Sequence, residues 1–322
     1  MSLKKVITSI KRNKKFLITA HTNLEGDALG SELAMYNLLK KMGKEAVIVN
    51  EDDLPYEYGF LDVKNKINKF DRNVKKHKFD CLIVLDCSDL GRTGEVHRLN
   101  TGNKPVINID HHISNQMFGD VNWVEPKACC CAEMVYKLYK KLGIPLDRES
   151  AVSLYTGLLT DTGSFHYPNT TSFAHKAVAE LLKYKIDASK IFRNVYENIP
   201  FQDMKLLSRI LPKIRRDAQG RIAWFQIERN MLMNRKITFD LSEHILGFAR
   251  AIKDVEVVVL FKENLGVKNE VRINLRSQGK VDVNKIAQFF GGGGHKTASG
   301  ATVKGTLDQV RKKVLAKIKE SL

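Results

Sequence analysis

The feature that most constrains the fold is a series of short apolar runs that alternate with helical patterns in the first half of the chain. Four runs have the length of a β-strand: FLITA (16–20), AVIVN (46–50), CLIVLD (81–86) and PVINID (105–110). Apolar strands separated by amphipathic helices are typical of βαβ units, in which helices cover both faces of a parallel sheet. The sequence therefore predicts an α/β fold for this half.

The spacing of apolar residues predicts helices between and after these runs, over 31–43, 130–142, 148–160 and 171–184. From about residue 187 the pattern changes to two helical stretches on either side of Pro200. Three further strands and a basic C-terminal helix then indicate a second α/β domain; the strands are expected at 222–227, 255–261 and 271–277.

The predicted organisation therefore has three parts. They are a parallel-sheet domain over residues 1–187, a helical connector over 188–216, and a smaller α/β domain over 217–322. We expect the active-site cleft between the two domains, because clefts between domains are common binding sites.

The chain is basic, with 53 lysine and arginine residues against 36 acidic ones and a formal net charge of +17. This charge favours an anionic partner, although lysines scattered over the surface explain it equally well. Five cysteines, three of them consecutive at 129–131, suit reduced thiols better than disulfides or a metal site. No segment resembles a secretory signal or a membrane span, so a cytoplasmic enzyme that does not bind membranes is the simplest expectation.

Acidic residues and histidines follow several of the predicted strands. HTNLEGD comes directly after the first run, Asp86 ends the third, and the triplet at 110–112 ends the fourth, while Asp161 ends a predicted helix. Because parallel strands present their carboxyl ends at one edge of the sheet, these groups can meet in one crevice. Taken singly, each has a simpler explanation, with Asp27 as a helix cap and the histidines as an ordinary loop pair.

Several carboxylates in one crevice would require cations. Two carboxylates about 4 Å apart repel each other by roughly 4 kcal/mol at an effective dielectric of about 20. Ligand sets rich in oxygen with a few imidazoles suit Mn²⁺ or Mg²⁺ rather than Zn²⁺. A shared aspartate can hold two such ions roughly 3.5–4 Å apart, an arrangement that serves phosphoester hydrolysis.

Four motifs in the first half resemble those of the DHH phosphoesterases, a family named for the triplet found here at 110–112. They are HTNLEGDALGS (21–31), VLDCSDLGR (84–92), NIDHHISN (108–115) and TGLLTDTGSF (156–165). The stretch 271–300, with its GGGGH turn, is similar to the DHH-associated C-terminal domain. This pairing, in a chain expected to lack other domains, is similar to the subfamily of oligoribonucleases and 3′-phosphoadenosine-5′-phosphate (pAp) phosphatases.

The resemblance implies two metal sites that share one aspartate, each holding Mn²⁺ or Mg²⁺. The implied ligands are His21, Glu25, Asp86 and Asp161 for one ion, and Asp27, Asp86, His111 and Asp161 for the other. It also implies a catalytic pair, in which Asp110 fixes the tautomer of a neighbouring histidine and His112 faces the scissile phosphate or leaving group. The family has aspartate where this chain has Glu25, whose extra methylene shifts the carboxylate by about 1 Å, a displacement that can cost on the order of a hundredfold in rate.

A second candidate site lies in the Gly-rich stretch GGGGHKTASG (291–300). Successive glycines can turn backbone N–H groups inward as an anion-binding nest, although a bare glycine run is more simply a flexible turn. The flanking strand adds arginines, which suit a bidentate grip on phosphate. The expected substrate-binding residues are Arg272, Arg276, Ser277, Gly292, Gly293, Gly294 and His295.

The expected activity is two-metal hydrolysis of short oligoribonucleotides to mononucleotides, and of pAp to AMP. One alternative is hydrolysis of cyclic di-AMP or linear pApA by the same core. An alternative from another class is an RNA- or nucleotide-binding protein with a degenerate metal site, favoured by Glu25 and by the charge of +17. A long-strand exonuclease fits less well because no further nucleic-acid-binding domain is expected, and a homodimer is left open as the assembly.

Overall fold

The computed structural model describes residues 3–61, 65–71, 78–232 and 241–322. The chain divides into two compact units, Met1–Asn198 and Ile199–Leu322. The division lies within the segment 188–216 that the sequence analysis assigns to a connector. The cleft expected between the domains stays a prediction.

The first unit is built on a six-stranded sheet in which every neighbouring pair of strands is parallel. The strands are β1 (Lys15–Thr19), β2 (Glu45–Asn50), β3 (Ile67–Lys69), β4 (Cys81–Leu85), β5 (Val106–Asp110) and β6 (Val121–Val124), in the order β3-β2-β1-β4-β5-β6. The four predicted strands are confirmed. The sequence analysis did not predict β3 and β6, because each is short and carries polar residues, so neither forms an apolar run.

The helices of the first unit are α1 (Leu3–Arg12), α2 (Gly26–Lys41), α3 (Cys131–Leu142), α4 (Arg148–Asp161), α5 (Ser172–Leu182) and α6 (Ala188–Tyr196). Helices α2 to α5 correspond to predicted helices, α6 is the first of the two helical stretches expected around Pro200, and the sequence analysis did not predict α1. Side-chain caps begin several of these helices; for example, Asp147 accepts the N–H of Ser150 at α4, and Thr171 accepts the N–H of Ala174 at α5.

Helix α2 begins at Gly26, five residues before the predicted start at Ser31, so the motif GDALGS is helical. Glu25 is its N-cap residue, and Asp27 lies in its first turn rather than capping it. The early glycines lower helix propensity, which is why the sequence favours a later start. Their close packing against α4 outweighs that cost.

Glycines allow α2 and α4 to pack closely. A Cβ atom at Gly30 would lie 2.3 Å from the carbonyl oxygen of Ser153, and one at Gly157 would lie 2.8 Å from Oδ1 of Asp27. Both distances are far below van der Waals contact, so only glycine fits at these positions. This packing brings the last residue of α4, Asp161, close to the first turn of α2.

The second unit has a mixed six-stranded sheet with helices around it. The strands are β7 (Arg215–Asp217), β8 (Ile222–Ile227), β9 (Val257–Glu263), β10 (Glu270–Ser277), β11 (Gly293–Gly294) and β12 (Ala298–Lys304), in the order β11-β12-β10-β9-β8-β7. The β8–β9 pair is parallel and the other pairs are antiparallel. The helices are α7 (Phe201–Ile210), α8 (Arg229–Leu232), α9 (Ser242–Arg250), α10 (Val283–Phe289) and α11 (Leu307–Lys319). The predicted α/β class is thus confirmed for both halves.

The five cysteines are buried free thiols, as expected. Burial raises the pKa of Cys130 and Cys131 well above the usual range of a thiol, which keeps them protonated. In the part of the chain that the structure describes, no helix is both long enough and apolar enough to cross a bilayer.

The close packing of α2 on α4 can be tested with Gly30→Ala, whose Cβ would clash with the Ser153 carbonyl. We expect this change to lower the free energy of unfolding by about 1–3 kcal/mol, measured by urea or thermal unfolding. Gly247→Ala is the control, because no described atom lies within 4 Å of the added Cβ in α9. That control should be neutral or stabilising, and a Gly30→Ala chain as stable as the wild type would contradict the packing.

Candidate active site

The candidate site lies where the two central strands of the first sheet end. Strands β1 and β4 are neighbours, and the chain runs outward from them in opposite directions, to β2 and β3 on one side and to β5 and β6 on the other. In open α/β sheets, ligands bind beyond the carboxyl ends of strands at such a switch point. His21 follows β1, and Asp86 follows β4.

Asp86 lies at the centre of the site. Its Oδ2 lies 3.5 Å from Nε2 of His21, and its Oδ1 lies 3.4 Å from Nε2 of His111 and 3.6 Å from Nδ1 of His112. The residue has a φ of 51°, a left-handed conformation that costs a residue other than glycine about 1–2 kcal/mol. Strained backbone of this kind is concentrated at functional sites.

The histidine rings turn their Nε2 atoms toward the carboxylates. Nδ1 of His21 lies 2.7 Å from the carbonyl oxygen of Thr22, and Nδ1 of His111 lies 3.4 Å from that of Ala128. Because a carbonyl only accepts, each Nδ1 carries a proton, so that loss of the Nε2 proton would leave a lone pair on Nε2. This is the tautomer that a metal ligand requires.

Two helices bring further carboxylates to His111. Asp27, from α2, lies with Oδ2 at 3.7 Å from Nε2 of His111, and Asp161, from α4, lies at the same distance. Asp27 also accepts the backbone N–H groups of Cys131 and Ala132, at 2.6 and 2.8 Å, at the start of α3. The positive end of the α3 dipole therefore offsets part of the charge of Asp27.

Asp110 holds the ring of His112. Its Oδ1 accepts Nδ1–H of His112 at 2.7 Å and the backbone N–H of His111 at 2.8 Å, while Oδ2 accepts the side-chain N–H of Asn115 at 2.6 Å. Burial opposes ionisation of Asp110, but the charge and hydrogen bond of His112 outweigh it and hold its pKa at about 2. The ionised carboxylate fixes His112 with Nε2 available to a ligand.

The other three carboxylates of the site, those of Asp27, Asp86 and Asp161, change one another's pKa values. Burial and the charge of Asp86 raise the pKa of Asp27 to about 7, and burial raises the pKa of Asp161 well above its usual range. Burial also opposes ionisation of Asp86, yet the neighbouring rings of His111 and His21 favour its ionised form and hold its pKa well below the usual range. Burial alone would lower the pKa of His111. The surrounding carboxylates outweigh that effect and hold its pKa well above the ordinary value. Without cations the cluster holds protons, which cation binding would release.

The donor set fits divalent cations. The ligand atoms of Asp86, Asp110, His111 and His112 lie within 4.8 Å of one another, and so do those of Asp27, His111 and Asp161. Oδ1 of Asp86 is buried and accepts no hydrogen bond from the described residues. A buried carboxylate oxygen without a donor is costly unless a cation binds it.

Glu25 is placed differently from the other predicted ligands. It is the N-cap residue of α2, its side chain is exposed, and it belongs to neither of these two groups. Its charge nevertheless acts on the site. Burial lowers the pKa of His21, but Asp86 raises it and Glu25 adds a smaller increase. Burial and the charges of Asp27 and Asp86 raise the pKa of Asp161, and Glu25 adds to that increase as well. Its role as a ligand stays a prediction.

The second unit brings together some of the predicted substrate-binding residues. Arg272 and Arg276 lie on one face of β10, whereas Ser277 is buried on the opposite side. The backbones of two residues four positions apart on a strand are separated by roughly 13 Å. One small phosphate group therefore cannot reach the backbone of both arginines. Arg276 forms an ion pair with Glu243 of α9.

The Gly-rich segment forms an ordered hairpin rather than a flexible turn. Gly293 and Gly294 pair with β12, and a Cβ at Gly292 would lie 2.1 Å from the carbonyl oxygen of Gly300. The backbone N–H of His295 donates to the carbonyl oxygen of Ala298 at 2.7 Å and closes the hairpin. Because Ala298 pairs with Arg276, the hairpin and that arginine lie at the same end of the sheet.

Two asparagines that contact the site are not predicted by the sequence analysis. Asn115 donates to Asp110, and Asn169 donates to Asp161 at 3.4 Å. Both lie in loops, where asparagine is an ordinary turn residue, so their type and position alone give no signal. Their proximity to the motifs DHH and TDTGSF is the one indication that the sequence offers.

Comparison with known proteins identifies the family. Residues 15–158 match the DHH family, N-terminal domain, and residues 231–322 match the DHHA1 domain. A Thermus thermophilus protein named bifunctional oligoribonuclease and PAP phosphatase NrnA is 32% identical over 306 residues, which are 95% of this chain and 89% of that protein. The chain belongs to the DHH family. A Bacillus subtilis protein of the same name is 28% identical over 305 residues, which are 92% of each chain.

The fold of this DHH-family chain also resembles a solved structure. The crystal structure of an exopolyphosphatase-related protein from Bacteroides fragilis has a TM-score of 0.87 and 26% sequence identity, and the match covers 98% of this chain and 96% of that one. The DHH family comprises metal-dependent hydrolytic phosphoesterases. The buried Asp and His cluster is consistent with such an enzyme.

Proposed function

We propose that this chain hydrolyses short oligoribonucleotides to mononucleotides and pAp to AMP, with two Mn²⁺ or Mg²⁺ ions bound at the cluster around Asp86. The observation that carries the proposal is the convergence of Asp27, Asp86 and Asp161 on Nε2 of His111, at 3.4–3.7 Å. The names of the Thermus and Bacillus relatives support the substrates.

The proposed ligands are those implied by the family motifs. One ion would be held by His21, Glu25, Asp86 and Asp161, and the other by Asp27, Asp86, His111 and Asp161. The distances around Asp86 and His111 support this assignment. When bound, such ions activate water and stabilise the charge that develops on the phosphoryl group.

His112 is the proposed acid at the leaving group. Its Nδ1–H donates to ionised Asp110, so Nε2 is the nitrogen that can face the substrate. In its protonated form the ring would give its Nε2 proton to the departing oxygen as the bond from that oxygen to phosphorus breaks. Asp110 would serve the reaction by fixing the orientation of the ring.

The proposed substrate contacts of the second unit centre on Arg276. The hairpin that contains Gly292, Gly294 and His295 lies at the same end of the sheet, which supports a phosphate site there. Arg272 is farther along β10, so we assign it to another part of the substrate. Ser277 faces the other side of the strand, where its hydroxyl accepts the backbone N–H of Gly279 at 3.3 Å.

The test is hydrolysis of an RNA dinucleotide, pAp and cyclic di-AMP by the full chain with excess Mn²⁺. We expect turnover of the first two, and a loss of more than about a hundredfold in Asp86→Asn. Asp120→Asn is the control, because Asp120 is an exposed residue whose carboxylate accepts the N–H of Val106 at the start of β5, outside the cluster. A preference for cyclic di-AMP would favour the alternative activity, hydrolysis of cyclic di-AMP or linear pApA. RNA binding without turnover of any substrate would contradict the proposal.

Glu25 gives a second test of the proposed metal site. Glu25→Asp restores the residue that the family has, and we expect equal or higher activity with tighter Mn²⁺ binding, because the shorter side chain removes a displacement of about 1 Å. Glu25→Gln, which keeps the length and removes the charge, should bind Mn²⁺ more weakly than the wild type. Activity assays and calorimetry measure both effects, and a large loss in Glu25→Asp would contradict this account of the position.

A further inference from the structure

The side chain of Asn169 connects two segments that carry the site. Its Nδ2 lies 2.9 Å from the carbonyl oxygen of Cys129, 3.0 Å from that of Asp161 and 3.4 Å from Oδ2 of Asp161. All three partners are acceptors, so the amide must present its N–H groups to them. One amide group therefore joins the end of α4 to the segment that precedes α3.

The position of Asp161 explains why a donor is needed there. Asp161 is the last residue of α4, where the final carbonyl groups lack helical partners and the helix dipole is negative. A carboxylate at this end is disfavoured by the helix dipole. The side-chain N–H groups of Asn169, which carry partial positive charge, donate to both the main-chain carbonyl and the carboxylate of Asp161.

The loop between Asp161 and Asn169 turns back on itself, which places the Asn169 side chain next to Asp161. Gly163, Ser164 and Phe165 all have left-handed φ angles, of 55°, 59° and 69°. Two of these are not glycine, so the left-handed backbone is strained there. Thr162 holds the turn: its hydroxyl donates to the carbonyl oxygen of Leu158 at 2.5 Å and accepts the N–H of Phe165 at 3.1 Å.

We propose that Asn169 is a positioning residue, which holds the Asp161 carboxylate toward His111 so that it can ligate a divalent cation. This inference rests on the proposed function, because it assigns Asp161 to the metal site. The side-chain oxygen Oδ1 of Asn169 is buried and has no hydrogen-bond partner among the described residues. The side chain thus acts here through its N–H groups.

The test compares Mn²⁺ binding to the full chain in Asn169→Ala and Asn169→Asp, by calorimetry. Asn169→Ala removes the donor, and we expect Mn²⁺ to bind about tenfold more weakly. Asn169→Asp has nearly the same shape but directs an oxygen at three acceptor oxygens, so we expect a further loss, to about a hundredfold. If the role is positioning, saturating Mn²⁺ restores kcat in Asn169→Ala, which a purely structural defect would prevent.

Asn100 provides a matched control. Its side chain also bridges backbone groups, donating to the carbonyl oxygen of Lys104 and accepting its N–H, both at 2.9 Å, in the loop before β5. Asn100→Ala and Asn100→Asp should lower the Tm of the metal-free chain but leave Mn²⁺ affinity within about twofold of the wild type, since Asn100 touches no proposed ligand.

The outcomes separate this inference from the proposed function. Wild-type Mn²⁺ affinity in Asn169→Asp would overturn the positioning role alone. Loss of affinity of the same size in Asn100→Asp would also overturn it, because the effect would then follow from general destabilisation. Failure of the wild-type chain to bind Mn²⁺ would overturn the proposed metal site itself, and this inference with it.

Discussion

The mutual repulsion of three carboxylates, two buried and one partly buried, is the constraint on which the site depends. Asp27, Asp86 and Asp161 each lie within 3.7 Å of Nε2 of His111. At an effective dielectric of about 20, each pair of charges about 4 Å apart costs roughly 4 kcal/mol. A protonated His111 and the α3 N-terminus offset part of this cost, and divalent cations can offset the rest. The fold therefore holds together carboxylates that repel one another when they are ionised.

Several features of the fold contribute to this convergence. Parallel strands bring Asp86 and the DHH triplet to one edge of the sheet, which is a general property of this architecture. The approach of Asp161 to Asp27 instead depends on glycines, because any larger residue at Gly30 or Gly157 would separate α2 from α4. Asp86 has a left-handed backbone, and its carboxylate lies 3.4–3.6 Å from three histidine rings. The site thus needs both general topology and particular residues.

The sequence predicts the parts of this structure that are local and periodic. The four long strands follow from apolar runs, and the ligand candidates follow from acidic residues placed after them. The early start of α2 is not predicted, because helix propensity places the boundary after Gly30, whereas packing on α4 decides it. Asn169 escapes prediction for a similar reason, since its contacts depend on the path of a left-handed turn that no periodic pattern encodes. The sequence alone does predict that Glu25 stands where the family has aspartate.

The central claim is that Asp86 is shared by two cations. The most direct measurement is anomalous diffraction at the manganese edge from a crystal of the full chain soaked in Mn²⁺. The account predicts two peaks roughly 3.5–4 Å apart, both within ligand distance of the Asp86 carboxylate. Peaks remote from Asp86, or a fully occupied single site at saturating Mn²⁺, would contradict it.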